Sequence, residues 1–136
     1  MELTLWAITA GLLGLFFAFY LFIRVVRFPA GTDKMKEISG LIHEGAMTYL
    51  NRQYRAVFLF ILFVFVFLTL LINIYVALAY VFGGACSMLA GYIGMNAATR
   101  ANVRTSQAAS DRNQPKALEI AFSGGAVMGM AVASIG

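Results

Sequence analysis

Most of the residues that build chemistry or staple small folds are scarce in this chain. Its 136 residues include one cysteine, one histidine, two prolines and six carboxylates. The lone Cys86 excludes an internal disulfide and leaves the redox compartment open; in its apolar stretch it reads as a small buried hydrophobe. The lone His43 excludes a zinc site made by this chain alone. His43-Glu44 begins the helical motif in which two histidines four residues apart hold zinc, but Met47 stands where the second should be. His43 is therefore expected to be solvated or interfacial. No paired carboxylates, metal cluster or nucleophile with its base can be assembled, so no catalytic, cofactor-binding or metal-binding residue is expected.

Charge is also thin, at 12%, against about a quarter in a soluble domain. What fills the space is apolar: 61% of residues are hydrophobic and the mean hydropathy is +0.82. Together these predict an integral membrane protein, all-α, a polytopic transmembrane helical bundle of about four membrane helices. The net charge of +4 would suggest nucleic acid if it formed a stripe on a soluble fold. Here the basic residues flank hydrophobic spans, so a lipid bilayer is the expected partner and nucleic acid is not.

In chain order, residues 3–23 carry no charge and are long enough to cross a hydrocarbon core of about 30 Å. A cleaved signal would want a basic start, whereas Glu2 precedes the run and Arg24 and Arg27 follow it, so a retained first span over 3–27 is expected. Trp6 and Tyr20 stand near its ends as interfacial aromatics. Phe28-Pro29 and Gly31 end this helix, and Thr32 or Asp33 caps the next. Met35, Ile38, Leu41, Ile42, Ala46, Tyr49 and Leu50 recur at helical spacing with charges mostly opposite, predicting an amphipathic helix. It runs on into the longest apolar stretch, broken only by Thr69 and Asn73, giving one unit over 33–82. No charge occurs from Ala56 to Thr99, a length of roughly 65 Å as one helix, so a reversal is required and Gly83-Gly84 is the expected place. A third span with a cytoplasmic extension follows over 84–109. The fourth is expected over 116–136, with Asn113 as cap and Pro115 near its start, still apolar at Gly136 as a truncated span would be.

Two stripes of small residues at four-residue spacing stand out: Cys86, Ala90, Gly94 and Ala98, then Ala117, Ala121, Gly125, Gly129 and Ala133. Each is expected to let a neighbouring helix come close. All ten basic residues fall between spans one and two or three and four, which predicts an outside N-terminus and a cytoplasmic basic end. Glu119 has two readings, a functional carboxylate inside a span or a first-turn residue favoured by the helix dipole. Ser123-Gly124-Gly125 lacks the lysine of a phosphate loop and reads as helix packing. Asn96, Asn102, Arg104 and Gln107 are open between an anion site and a solvated helix extension.

At this point a family resemblance appears. Ala90-Gly91, Gly94-Met95, Ala98, Thr99-Arg100-Ala101-Asn102-Val103-Arg104-Thr105, Ala108-Ala109, Ala117-Leu118 and Gly124-Gly125-Ala126-Val127-Met128-Gly129 are similar to the N-terminal part of the membrane-integral, ion-pumping inorganic pyrophosphatases. Gly31-Thr32, Met35-Lys36-Glu37-Ile38, Gly45-Ala46 and Leu50 extend the resemblance upstream, while Ser123 departs from the larger polar residue of many members.

The resemblance implies a protein several times longer, a homodimer of about sixteen spans in two rings, whose first four spans these would be. It implies coupling of diphosphate hydrolysis to outward transport of H+ or Na+. Mg2+ would be its cofactor, K+ a further candidate, and a prokaryotic inner membrane its location. The catalytic and gating residues would lie on later inner-ring helices, leaving this segment inactive alone and serving as outer-ring packing. The alternatives are a small four-span exporter, for which only Glu119 could exchange protons, or a non-enzymatic membrane assembly subunit.

Overall fold

The computed structural model describes residues 2–135; Met1 and Gly136, the two ends of the expected membrane region, lie outside the described residues. Four helices account for nearly all of it: α1 (Glu2–Arg27), α2 (Asp33–Leu71), α3 (Ile74–Ser110) and α4 (Gln114–Ile135). All four are long and apolar enough to cross a membrane. Among the described residues there is no strand. The fold is the expected all-α array of membrane helices.

The helix ends follow from local chemistry. After α1, Gly31 takes a left-handed φ of +85°, and Thr32 caps α2 by accepting from the Met35 N–H at 3.3 Å. After α3, Arg112 occupies the left-handed region at φ 57°, Asn113 N–H bonds Ala108 O at 3.0 Å and Arg112 N–H bonds Ala109 O at 3.0 Å. That pair of bonds is a Schellman stop. Asn113 then caps α4, its side chain accepting from the Lys116 N–H at 3.2 Å, as the sequence suggested.

The reversal between α2 and α3 is not where it was expected. It falls at Ile72-Asn73, and Gly83 and Gly84 lie inside α3. Consequently the unit expected over 33–82 ends at Leu71, and the third helix begins well before residue 84. The reason is that an asparagine side chain can accept a bond from a free N–H of the helix start, which glycine has no atom to do: Asn73 Oδ1 accepts from the Val76 N–H at 2.9 Å. Within lipid, an unbroken helix also keeps every peptide group bonded across the glycines. Gly84 instead serves close packing, since a Cβ there would stand 2.7 Å from Ile61 Cδ1 of α2. Two substitutions with opposite signs test this break. Asn73→Ala is expected to destabilise the protein by about 1 kcal/mol, and Gly83→Ala, with open space around the new methyl, to stabilise it by up to about 1 kcal/mol. Thermal unfolding in detergent reads both.

The helices form an open row. α1 packs on α4, α4 on α3 and α3 on α2; α1 touches α3 lightly, and among the described residues α2 packs on α3 alone. Two small cores bind the first three of these. Val25, Ala101, Ala108, Ala117 and Ile120 form one, against Phe28. Leu21, Ala97 and Val127 form the other.

Burial divides the two small-residue stripes into inward and outward positions. On α3 the buried set includes Ala90, Gly94, Ala97, Ala101 and Ala108, and on α4 it is Ala117, Ile120, Gly124, Val127 and Ala131. Steps of three and four alternate, as they must along the seam of side-by-side helices, because a strict step of four drifts roughly 40° per repeat at 3.6 residues per turn. Ala98, Ala121, Gly125, Gly129 and Ala133 are thereby carried to the surface, and Cys86 is half-buried. The amphipathic face of α2 is likewise shifted. His43, Met47, Leu50 and Tyr54 turn towards α3 or are buried, while Ile38, Leu41, Ile42 and Tyr49 stay exposed. Large apolar side chains such as Leu13, Phe16, Phe63 and Leu70 are also mostly uncovered. A soluble monomer does not carry that much contiguous apolar surface, and a bilayer accepts it.

Candidate functional site

Polar and charged side chains gather at the end of the row formed by the α1 C-terminus, the first half of α2, the last turns of α3 and the start of α4. The last carbonyls of α1 have no partner within their own helix. Arg104 of α3 supplies one. Its Nε donates to Phe28 O at 3.0 Å and Val26 O at 3.3 Å, its Nη2 to Val26 O at 3.0 Å, and its Nη1 to Arg100 O at 2.7 Å. The planar fork of arginine suits three carbonyls at once in a way a lysine does not. The following turn is seated on the same helix: a side chain at Gly31 would collide with Gln107 and Met35, and Gln107 is itself held by Asp111 Oδ1 at 2.8 Å. Lys116 lies 5.4 Å above the Phe28 ring, a cation–π contact that joins α4 to the same linker.

Two further ties cross helices. Arg24 of α1 and Glu119 of α4 form an ion pair at 2.5 Å, each side chain about half exposed. Glu119 lies past the first turn of α4, so its partner is this arginine, and the first-turn dipole reading gives way to an interhelical pair. His43 makes the second tie. It is half-buried at the polar end of the row, and its Nδ1 lies 2.9 Å from Thr99 Oγ1. The Thr99 hydroxyl also reaches Met95 O at 2.9 Å and Asn96 O at 3.2 Å. With its one proton on a helix carbonyl, Thr99 accepts from an Nδ1–H of His43; in the other histidine tautomer the hydroxyl donates to Nδ1 instead.

The four residues considered as an anion site do not converge. Asn96 donates to Tyr92 O at 3.2 Å, Gln107 to Asp111, and Arg104 to α1, while Asn102 is exposed. Arg104 is thus a clamp between helices, and its partners, 76 and 78 residues away, left no local signal in the sequence. Of the Ser123-Gly124-Gly125 run, Gly124 is buried against Ala101, in keeping with packing, but Gly125 and Gly129 face open space. Among the described residues no three histidine, cysteine or acidic side chains converge as a metal ion would require, so no step through magnesium is assigned to them.

What this end of the row can do chemically is hold four helices in register around a basic surface. Residues 12–136 match the family described as inorganic H+ pyrophosphatase. A relative from Clostridium tetani is 46% identical over 125 residues, which cover 92% of this chain and 18% of the relative. A Methanosarcina mazei protein, named as a K(+)-insensitive pyrophosphate-energized proton pump, is 42% identical over 90% of this chain and 18% of its own length. One from Thermotoga maritima, named as a K(+)-stimulated pyrophosphate-energized sodium pump, is 39% identical over 89% of this chain and 17% of its own length. The chain therefore spans less than a fifth of the length of these relatives. With its match running through all four membrane-capable helices, the chain belongs to the inorganic H+ pyrophosphatase family.

Proposed function

We propose that the chain forms the first four spans of a membrane pump that hydrolyses pyrophosphate with Mg2+ and moves H+ or Na+ outward. The observation that carries this reading is the family match over residues 12–136, which takes in nearly all of the four-helix array. In this reading the N-terminus is outside, and the basic end faces the cytoplasm of a prokaryotic cell across its inner membrane. Support for that orientation comes from the basic residues, all ten of which lie between spans one and two or three and four, leaving the Ile72-Asn73 turn without any. Metal, substrate and gate belong to later helices of a homodimeric pump. Relatives 42% and 39% identical over this stretch are named for protons and for sodium, so the choice of ion is assigned to those later helices too.

The role left to this segment is mechanical. Its clamped end fixes α1, α3 and α4 relative to one another, and the open small-residue stripe of Ala121, Gly125, Gly129 and Ala133 is assigned to packing against further helices of the pump. An exporter would need Glu119 as an exchangeable carboxylate, and its ion pair with Arg24 argues against that use.

Membranes carrying the complete reading frame that contains this chain should release phosphate from pyrophosphate in a magnesium-dependent way and take up H+ or Na+ with it. The 136-residue chain alone should do neither. Absence of magnesium-dependent hydrolysis by the complete protein would remove the enzyme assignment.

A further inference from the structure

α1 and α3 both lean on α4 but only lightly on each other, and the wedge between them is an apolar cleft of about 400 Å3. Phe19 and Phe22 of α1 form one wall, Ile93 and Asn96 of α3 the other, and Val127 and Ala131 of α4 the floor. The size is that of a small-molecule site. Towards the charged end, the α3 side of the cleft changes character over roughly 10 Å, passing from Ile93 through the amide of Asn96 to Arg100 one turn further on. Arg100 is exposed and makes no ion pair among the described residues. Arg104, the next residue on that side, gives its N–H groups to the carbonyls of Val26, Phe28 and Arg100, and no carboxylate neutralises it. On the α3 face that carries Ile93, the apolar slot is therefore followed towards the charged end by Arg100, which has no ion pair among the described residues.

Within a bilayer, that order of surfaces is complementary to one kind of molecule. We propose that the cleft binds a phospholipid with an anionic headgroup: one acyl chain against Phe19, Phe22 and Ile93, and the headgroup phosphate at Arg100. Basic pockets between membrane helices are sites of this class. The lipid would fill the wedge that α1 and α3 leave open and tie it to the clamped end. This rests on the four helices being membrane spans and not on the pyrophosphate reading.

The test uses the full-length protein containing this chain, reconstituted in nanodiscs that hold phosphatidylcholine and phosphatidylglycerol in equal amounts. Native mass spectrometry then counts the lipids retained on release. One phosphatidylglycerol per chain is expected to be kept over phosphatidylcholine by about fivefold, the preference that one arginine at an anionic headgroup confers. Arg100→Gln should abolish the preference and Arg100→Lys should keep it, which separates lost charge from lost folding. Ile93→Trp, which fills the slot without changing charge, should reduce retention of both lipids. Equal retention by the unaltered protein, or a preference that survives Arg100→Gln, would overturn the proposal. So would displacement of the lipid by inorganic phosphate alone, which would mark a simple anion site. Pyrophosphate hydrolysis measured in the same nanodiscs keeps the two readings apart: its absence with lipid retention intact counts only against the pump.

Discussion

Gly124→Leu is expected to force α3 and α4 apart and to lower the stability of the protein by about 3 kcal/mol, the upper end of what overpacking a filled interface costs. A Cβ at Gly124 would stand 2.5 Å from Ala101 Cβ, and Ala101 is locked in the buried cluster with Val25 and Ile120. Neither methyl has a torsion through which to swing aside, so relief comes only from moving the helices. Even Gly124→Ala should cost about 1–3 kcal/mol. Gly125 is the control, because nothing lies within 4 Å of a Cβ placed there. Gly125→Ala should leave the melting temperature in detergent unchanged or slightly raised. Equal melting temperatures for the two alanine variants would mean that Gly124 is not the point of closest approach.

The second large effect is expected at Arg104. Arg104→Gln withdraws the donors from Val26 O and Phe28 O, leaving the end of α1 with carbonyls that only water can serve. Hydrogen bonds from a charged donor contribute about 1.5–3 kcal/mol each. Because this side chain is only half-buried, the sum should be discounted to about 2–3 kcal/mol for the group. Arg104→Lys should recover little of it, since one ammonium cannot reach the carbonyls of Val26, Phe28 and Arg100 together. Proteolysis at the linker through Pro29 and Gly31 provides a local readout. Faster cleavage there in Arg104→Gln, with the α2-α3 turn unaffected, is the expected result, and unchanged cleavage would show that the linker is held by other contacts.

Much of the architecture could be read from residue order because membrane helices are written in long apolar runs and capped by a small set of polar residues. Thr32 and Asn113 were recognisable as caps, since each stands between a turn and an apolar segment. Asn73 was not, because it interrupts an otherwise continuous apolar run in which a glycine pair competes as the breaker; its cap bond reaches only three residues along the chain, but nothing around it marks a loop. The four-residue stripes do not mark the seam within these four helices, because a helix carries every fourth residue steadily round its axis, and their outward members are left to other neighbours. The clamp at Arg104 and the His43–Thr99 bond were beyond reach, because both join helices whose order in the row depends on packing. From residue order alone, His43 could be weighed only against a zinc motif and Arg104 only as part of an anion site or a solvated extension.

The row also has a consequence for biosynthesis. The helix translated first finds its main neighbour in the helix translated last of these four, since α1 lies chiefly on α4. Until α4 is made, the first helix has to keep its place in the bilayer by its own hydrophobic length, while α2 and α3 are free to pair as a hairpin. A nascent chain stalled when α3 has cleared the exit tunnel and α4 has not should therefore display a paired hairpin beside a solitary anchor, and crosslinks between Gly14 and Met130 should appear only once the fourth helix has emerged as well.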